Sequence, residues 1–192
     1  MVKLNILICG IGGQGVVTTG KILAEAFSRR GFKVMEAETH GLAQRGGAVN
    51  VHVRIGDIEV PLIPEGGADY MIALEATELL RNINFLSKDA VIFVNAETKP
   101  SALPGQPMVD LNYILSFLKK WRTFVVDCRK ISQSSGGYCN IAMLAYLFQF
   151  GLKELLDIED ILSAIPGTVN KRLFIETVSA SQNYVVSGPA GI

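Results

Sequence analysis

A short apolar run passes directly into glycines in the stretch Leu4-Asn5-Ile6-Leu7-Ile8-Cys9-Gly10-Ile11-Gly12-Gly13-Gln14-Gly15. The run has the length and composition of a strand that is buried on both faces of a parallel sheet. Apolar residues then recur at helical spacing up to Phe27, and Gly31 is a natural end for that helix. A second strand from Phe32 to Glu38 completes a βαβ unit, which predicts an α/β fold.

The glycine-rich turn has the Gly-x-Gly-x-x-Gly spacing of dinucleotide-binding folds, and an acid, Glu36 or Glu38, stands near the end of the second strand. Glycines let a backbone approach a pyrophosphate, and the N–H groups of a helix N-terminus attract its charge. The same glycines also serve close packing of a strand and a helix. The turn alone therefore leaves open a stand-alone NAD- or FAD-binding oxidoreductase, a nucleotide-binding module and a purely structural role.

A second glycine-rich loop, Thr39–Gly47, follows the second strand. Open α/β sheets bind ligands at the carboxyl ends of their strands, so we expect both loops to face one crevice. His40 can titrate near neutral pH, Gln44 is a neutral donor and acceptor, and Arg45 offers a planar fork for phosphate or carboxylate. The alternative is a solvated linker into the next strand. The two closing glycines and the arginine on a ligand-facing edge favour a functional loop.

The remaining pattern predicts a doubly wound, Rossmann-like sheet that is mostly parallel and carries helices on both faces. Strict alternation from Ala48 to Ile55 and a following Gly-Asp pair predict a β-hairpin insertion at about 48–62. His52 falls on the polar face of this hairpin and is expected at the surface or at an interface. Plain alternation of strands and helices resumes after the hairpin.

Several loops are expected outside these elements. A breaker-rich connector, Lys99–Pro107, is expected to be exposed. Residues 134–137 are either a third ligand loop or the N-cap of an apolar helix that Gly151 ends. The length predicts a single domain over residues 1–186, with a loose C-terminal tail at 187–192.

The composition excludes several classes of function. Lys plus Arg equals Asp plus Glu at 18 each, so there is no basic field of the kind that attracts nucleic acid. No apolar stretch approaches the length of a membrane span, so we expect a soluble, cytoplasmic protein. Cys9, Cys128 and Cys139 are far apart in the sequence. They fit a reducing compartment and lack the close spacing of a zinc or iron–sulfur ligand set.

The two glycine motifs together resemble those of the gamma-type domain of the 2-oxoacid:ferredoxin oxidoreductases. The resemblance rests on Gly-x-Gly-Gly-Gln-Gly at residues 10–15, followed by the segment from Glu38 to Gly47. As a separate subunit of this length, the chain is most similar to the beta subunit of the indolepyruvate:ferredoxin oxidoreductases. The similarity runs from the first strand to about Asn95, and beyond Lys99 it is one of general layout.

This resemblance implies a subunit, inactive alone, of an enzyme that oxidatively decarboxylates a 2-oxo acid such as indolepyruvate or another aryl pyruvate. The products are an acyl-coenzyme A and electrons passed to ferredoxin. In that family other domains hold thiamine diphosphate and the iron–sulfur clusters. The resemblance therefore implies an alpha-type partner subunit that carries both groups, and no metal site on this chain. The isolated chain is also a candidate homodimer.

The resemblance also carries a set of site residues, which we interpret as interface or substrate-channel residues facing the active site and the coenzyme A region. They are Gly10, Gly12, Gly13, Gln14, Gly15, His40, Gly41, Gln44, Arg45, Gly46 and Gly47. Arg45 is the best candidate to meet an anionic group. None of these residues is predicted to be catalytic, because a histidine in a glycine-rich loop more often has a structural role than a role in proton transfer.

Overall fold

The computed structural model of the protein describes residues 2–41, 47–98 and 109–182. Within these residues six strands form one sheet: β1 (Leu4–Ile11), β2 (Val34–His40), β3 (Ala48–Ile55), β4 (Ala68–Ala73), β5 (Leu86–Asn95) and β6 (Arg122–Val126). The strand order is β2-β3-β1-β4-β5-β6. The predicted connector Lys99–Pro107 and the predicted tail at 187–192 both lie outside the described residues.

Helices pack on both faces of this sheet. They are α1 (Val16–Arg29), α2 (Ala76–Arg81), α3 (Leu111–Ser116), α4 (Cys128–Ser135), α5 (Cys139–Leu147), α6 (Ile158–Ala164) and α7 (Thr168–Ser181). A 3-10 turn, Ile83–Phe85, leads into β5, and a π-helical turn, Phe148–Leu152, extends α5. Among the described residues, no helix combines the length and the apolar character needed to cross a bilayer.

The sheet confirms the predicted α/β class with mostly parallel strands. β1, β4, β5 and β6 are neighbours in this order and run parallel to one another. β3 is antiparallel to both of its neighbours, β1 and β2. The βαβ unit of β1, α1 and β2 is therefore present, but β3 is inserted between its two strands.

The predicted β-hairpin at 48–62 is wrong in its second arm. β3 is the expected first arm, but it pairs with β1 and β2, and residues 58–62 form a loop. Arg54 Nη1 donates to the carbonyl oxygens of Val60 and Leu62 at 2.7 and 3.0 Å, which pins this loop. Pro61 lies between these two carbonyls and has no N–H to offer a strand ladder. The hairpin that does form joins β2 to β3.

His52 is buried, with 2% of its surface exposed, so the prediction of a surface position is wrong. Its Nδ1 accepts a hydrogen bond from the backbone N–H of Ile63 at 3.2 Å, and its ring meets Phe85 edge to face at 5.5 Å between centroids. Burial lowers the pKa of His52, and the nearby Arg54 lowers it further. The loop after β3 covers a face that the alternating pattern suggests is solvated.

Each face of the sheet has its own apolar core. We call the face that contacts α1 and α5 the front face, and the face that contacts α2 and α3 the back face. Ile6 and Ile8 of β1 point to the front, and Leu7 and Cys9 point to the back. All four are fully buried, as expected for a central strand. β1 therefore ends between two fixed layers of helices, which holds the glycine-rich turn in place.

The prediction that Gly151 ends the apolar helix is wrong. The chain continues past it in the π-helical turn. A Cβ at this position would lie 2.9 Å from the ring of Tyr70, whose hydroxyl donates to the Gly151 carbonyl at 3.1 Å. The glycine is explained by the close approach of this tyrosine.

Candidate functional site at the carboxyl edge of the sheet

The glycine-rich turn connects β1 to α1 at the edge where β1, β4 and β5 end, which we call the carboxyl edge. Gly13 and Gly15 adopt φ angles of +96° and +87°, a region that favours glycine. Gly15 is the N-cap of α1 and supplies no side chain to the N–H groups of the first helical turn. A helix start of this kind can receive an anion.

Gln14 fixes the shape of this turn. Its side-chain Oε1 accepts from the backbone N–H of Ile11 at 2.7 Å, and its Nε2 donates to the carbonyl oxygen of Leu74 at 3.3 Å. Gly10 makes room for this arrangement, since a Cβ there would lie 2.9 Å from Gln14 Oε1 and 3.1 Å from Leu74 Cβ. Both residues hold the end of β1 against the end of β4.

The second glycine-rich loop meets the first, as predicted. The backbone N–H of Gly12 donates to the carbonyl oxygen of Gly47 at 3.0 Å, and the N–H of Gly41 donates to that of Ala48 at 2.8 Å. The predicted site residues Gln44, Arg45 and Gly46 lie outside the described residues. Their proposed roles stay predictions, whereas the two ends of their loop are located at the carboxyl edge.

His40 ends β2 and is exposed. Its Nε2 lies 3.0 Å from Oε2 of Glu38, and more than half of the histidine side chain is in solvent. A contact of this kind contributes little to stability. The noncatalytic role of His40 stays a prediction.

A cleft of about 480 Å³ opens between the glycine-rich turn, the end of β5 and the N-terminus of α5. This size is within the usual range of ligand sites. Amide side chains dominate its polar lining, together with a carboxylate, a phenol and a thiol. These residues are Gln14, Asn95, Asn140, Asn170, Glu97, Tyr138 and Cys139, and Thr18 adds a hydroxyl.

Asn140 sets the width of the cleft. Its Nδ2 lies 3.2 Å from Thr19 Oγ1 and 3.4 Å from the carbonyl oxygen of Gly15, so it joins the start of α5 to the start of α1. A Cβ on Gly15 would lie 2.7 Å from this amide. The absence of a side chain at Gly15 therefore lets the two helix starts meet.

Two other amides hold the cleft walls. Asn95 donates to the carbonyl oxygen of Leu74 at 3.2 Å and accepts from the N–H of Cys128 at 3.4 Å. Asn170 accepts from the N–H of Tyr138 at 3.3 Å and donates to the carbonyl oxygen of Pro166 at 3.0 Å. The cleft is therefore preformed by a hydrogen-bonded framework.

The three cysteines are free thiols. Cys9 and Cys128 are buried, and burial is the main cause that raises the pKa of each thiol. Both therefore behave as small apolar core residues. Cys139 is only partly buried and lies 3.5 Å from Ser132 Oγ. Within residues 2–41, 47–98 and 109–182, no three His, Cys, Asp or Glu side chains are grouped as a metal site.

The register of the sheet argues against a dinucleotide at the turn. Gly10 lies level with His40 across β3, whereas Ile8 lies level with Glu38 and Ile6 with Glu36. Neither acid is therefore at the level of the turn, and Glu36 is four residues, about 13 Å, below the end of β2. The inserted β3 adds a further strand spacing of about 4.8 Å between the turn and both acids.

The sequence pattern missed much of this cleft. Asn95 is the last residue of the buried strand β5 and Glu97 follows it closely, so the rule that ligands bind at the carboxyl ends of strands points to both. Asn140 carries no such signal, because a polar residue at the start of an apolar helix usually reads as a cap. The interpretation of residues 134–137 as an N-cap of this helix is wrong, since Ser134 and Ser135 close α4 and Tyr138 precedes α5.

Comparison with known proteins gives consistent similarities. Residues 5–183 match the family model described as pyruvate ferredoxin/flavodoxin oxidoreductase. The chain is 39% identical to indolepyruvate oxidoreductase subunit IorB of Archaeoglobus fulgidus, over 97% of each chain. It is 35% identical to the subunit of the same name from Thermococcus kodakarensis, over 95% of this chain and 98% of that one.

Solved structures share the fold. Pyruvate oxidoreductase subunit PORC from Thermotoga maritima matches with a TM-score of 0.69 and 23% identity, over 93% of this chain and 97% of that one. The gamma subunit of a keto/oxoacid ferredoxin oxidoreductase from Geobacter sulfurreducens matches with a TM-score of 0.68 and 20% identity, over 94% and 99%. These two similarities extend over nearly the whole of each chain.

Proposed function

We propose that this chain, which belongs to the pyruvate ferredoxin/flavodoxin oxidoreductase family, is a subunit of a cytoplasmic 2-oxoacid:ferredoxin oxidoreductase that acts on indolepyruvate or another aryl pyruvate. The substrate is supported by the two relatives named indolepyruvate oxidoreductase subunit, which align over nearly their full length. The compartment is supported by three unpaired cysteines. The complex decarboxylates the 2-oxo acid oxidatively, forms an acyl-coenzyme A and passes electrons to ferredoxin.

The observation that carries this proposal is the hydrogen bond from Gly12 to Gly47, which joins the two glycine motifs into one surface at the carboxyl edge of the sheet. Tyr138 stands at the rim of the cleft with 71% of its surface exposed. An exposed tyrosine beside close-fitting backbone is typical of an interface anchor. We propose that this surface docks on a partner subunit, of the alpha type, that carries thiamine diphosphate and the iron–sulfur clusters.

The residues of this chain suit an enclosing role better than a redox role. Two of its cysteines are buried in the core, and the third is the thiol that lines the cleft. We therefore assign thiamine diphosphate, the iron–sulfur clusters and the transfer of electrons to ferredoxin to the partner. The isolated chain is then inactive, and its contribution to catalysis is to exclude water and to position what enters the cleft.

Coenzyme A fits the chemistry of the cleft. The start of α1 has N–H groups without a side-chain cap and is suited to phosphate. The amide framework beside it matches the peptide-like groups of the pantetheine arm. When bound, coenzyme A supplies the thiol that takes the acyl group. Within this chain, Gly13 and Gly15 would face its phosphates, and Asn140 would hold the wall.

Assembly of the complex tests the docking surface. Tyr138→Asp in the chain co-expressed with its partner subunit should abolish co-purification, because it places a charge in an apolar contact. Ile175→Asp is the matched control, since Ile175 is also an exposed apolar residue but lies on α7 away from the cleft. Equal recovery of the complex with both variants would overturn the proposed docking surface.

Kinetics of the assembled complex test the ligand. Thr18→Glu places a carboxylate in the cleft at the start of α1, so the KM for coenzyme A should rise about tenfold or more while the KM for the 2-oxo acid stays unchanged. Ser28→Glu, exposed at the other end of α1, is the control. An unchanged KM for coenzyme A in a fully assembled complex would remove coenzyme A from the cleft and leave the docking role intact.

A further inference from the structure

Two exposed patches of opposite charge lie far from the cleft. We define the aromatic–basic patch as Tyr113, Phe117, Lys119 and Lys120. We define the acidic loop by the exposed residues Asp57, Glu59, Val60, Leu62 and Glu65. Each patch combines apolar side chains, which are between 47% and 59% exposed, with charges of a single sign. Such exposed apolar groups rimmed by charge mark interaction surfaces.

The aromatic–basic patch is built by α3 and the turn that follows it. The rings of Tyr113 and Phe117 meet edge to face, with 5.1 Å between their centroids. The Lys120 ammonium lies over the ring of Trp121, 4.1 Å from its centroid. Among the described residues, no carboxylate lies within ion-pair distance of Lys119 or Lys120.

The acidic loop is held in a defined shape. Arg54 binds the carbonyls of its centre, and Asn84 Nδ2 donates to Glu65 Oε1 at 2.8 Å. Lys33 approaches Asp57 at 3.9 Å and offsets its charge. Within the described part of the chain, Glu59 and Glu65 have no basic side chain within ion-pair distance. The two glutamates therefore give the loop a negative surface around Val60 and Leu62.

Both patches belong to the same side of the molecule. Ile63 of the loop and Ile114 of α3 are buried in the same back-face core. α2 packs against α3, and the turn that follows α2 is bonded to the loop through Asn84 and Glu65. The loop follows Ile55, which pairs with Leu4 at the start of β1, and Lys120 directly precedes the segment that enters β6. The patches therefore flank α2, about 10 Å across, towards the edge opposite the cleft.

We propose that two copies of this chain associate through their back faces, so that the aromatic–basic patch of each copy meets the acidic loop of the other. A two-fold axis near α2 makes both contacts at once, because an isologous interface pairs each patch with its complement twice. The occupant is a second copy because this chain itself carries the complementary charge and the complementary apolar groups. The carboxyl edge stays accessible, so this association does not depend on the proposed docking of a partner subunit.

Charge exchange on the full-length chain tests the proposal by sedimentation velocity. At about 100 μM, well above the Kd expected of an interface of standard size, the unmodified chain should be a dimer that weakens with added salt. Lys119→Glu with Lys120→Glu should raise the dimer Kd by at least about tenfold, and so should Glu59→Lys with Glu65→Lys. An equimolar mixture of the two variants should restore a dimer, since each then presents the charge that the other lacks.

Lys153→Glu is the matched control, because Lys153 is exposed and follows the π-helical turn on the front face. It should leave the dimer Kd unchanged. Tyr113→Ser with Phe117→Ser should also yield a monomer, with an unchanged circular dichroism spectrum. The proposal would be overturned by an unmodified chain that is monomeric at about 100 μM, or by a dimer whose Kd neither pair of charge substitutions changes. Polymers larger than a dimer that grow with concentration would also overturn it.

Discussion

The two sides of the glycine-rich turn differ in how firmly they are built. On the cleft side, Gln14 and Asn140 bond the turn to β4 and α5. On the hairpin side, towards β3 and β2, a shallower groove of about 260 Å³ is lined by Val17 and Val49 beside the turn glycines. On that side the backbone hydrogen bond from Gly12 to Gly47 connects the turn to the end of the second glycine-rich loop.

This difference explains how a dinucleotide-like motif can serve another purpose. In a nucleotide-binding fold the turn and the acid of the neighbouring strand hold opposite ends of one ligand. Here β3 separates them, and the amide framework lies on the other side, between β1 and β4. The glycines therefore shape a crevice at the point where the strand order reverses, which is where open α/β sheets receive ligands.

Among the substitutions that compare the two sides, Gly15→Ala on the cleft side should lower the free energy of unfolding most. A positive φ costs a non-glycine residue about 1–3 kcal/mol, and the added Cβ would lie 2.7 Å from the Asn140 amide, for about 1–3 kcal/mol more. Gly13→Ala is the matched control, because it has a similar φ but no atom within 4 Å of the added Cβ. Urea unfolding of both variants separates backbone strain from the clash.

The two helix starts should couple in that experiment. Adding Asn140→Ala to Gly15→Ala should recover part of the lost stability, because it removes the group that the new methyl meets. Equal destabilisation by Gly13→Ala and Gly15→Ala would mean that the contact between α1 and α5 yields without cost. The cleft side would then be no firmer than the hairpin side.

A smaller effect separates Gln14 from His40. Gln14→Met keeps the size of the side chain but removes both hydrogen bonds to Ile11 and Leu74, so the free energy of unfolding should fall by about 1–2 kcal/mol. His40→Ala breaks an exposed contact with Glu38 and should cost less than about 0.5 kcal/mol. Comparable losses in chemical denaturation would contradict the contrast between the two sides.

The sequence predicts the layers of this fold better than its pairing. The apolar run of β1, the helical spacing of α1 and the position of both glycine loops follow from local patterns that the structure retains. The place of β3 in the sheet does not follow from a local pattern. Alternation shows which residues of a strand share a face, but not which strands lie beside it. Arg54 holds the following loop by bonding carbonyls six and eight residues further on, and the local sequence of this segment also suits a hairpin.

The candidate site, too, can be predicted from the sequence only in part. The glycine turn is visible in the sequence because its backbone needs glycine at fixed positions. Asn140 and Asn170 reach the cleft from helices more than 120 residues along the chain from the turn, as the separation of 125 between Asn140 and Gly15 illustrates. Contacts between residues so distant in sequence leave no local pattern, and the amide framework is therefore seen only in the folded chain.

The smallest effect concerns Glu36, the acid on the hairpin side that a dinucleotide would require. Its Oε1 is buried without a hydrogen-bond partner among the described residues, close to where a Cβ on Gly20 would lie, at 2.9 Å. Burial raises the pKa of the Glu36 carboxyl, the Glu38 carboxylate raises it further, and Lys21 opposes the rise. The folded chain therefore holds this proton more tightly than the unfolded chain does.

The sign of the pH dependence follows from that difference. The usual pKa of a glutamate is about 4.3, so the stability associated with protonated Glu36 is present below that pH and is lost as the pH rises through the higher pKa of the folded state. Glu36→Gln cannot ionise, so it should be more stable than the unmodified chain at neutral pH, and this advantage should shrink towards pH 4 (about the unfolded pKa). A stability difference for Glu36→Gln that is constant across this range in urea unfolding would mean that Glu36 is solvated and free to receive a ribose hydroxyl, which would reopen the hairpin side as a nucleotide site.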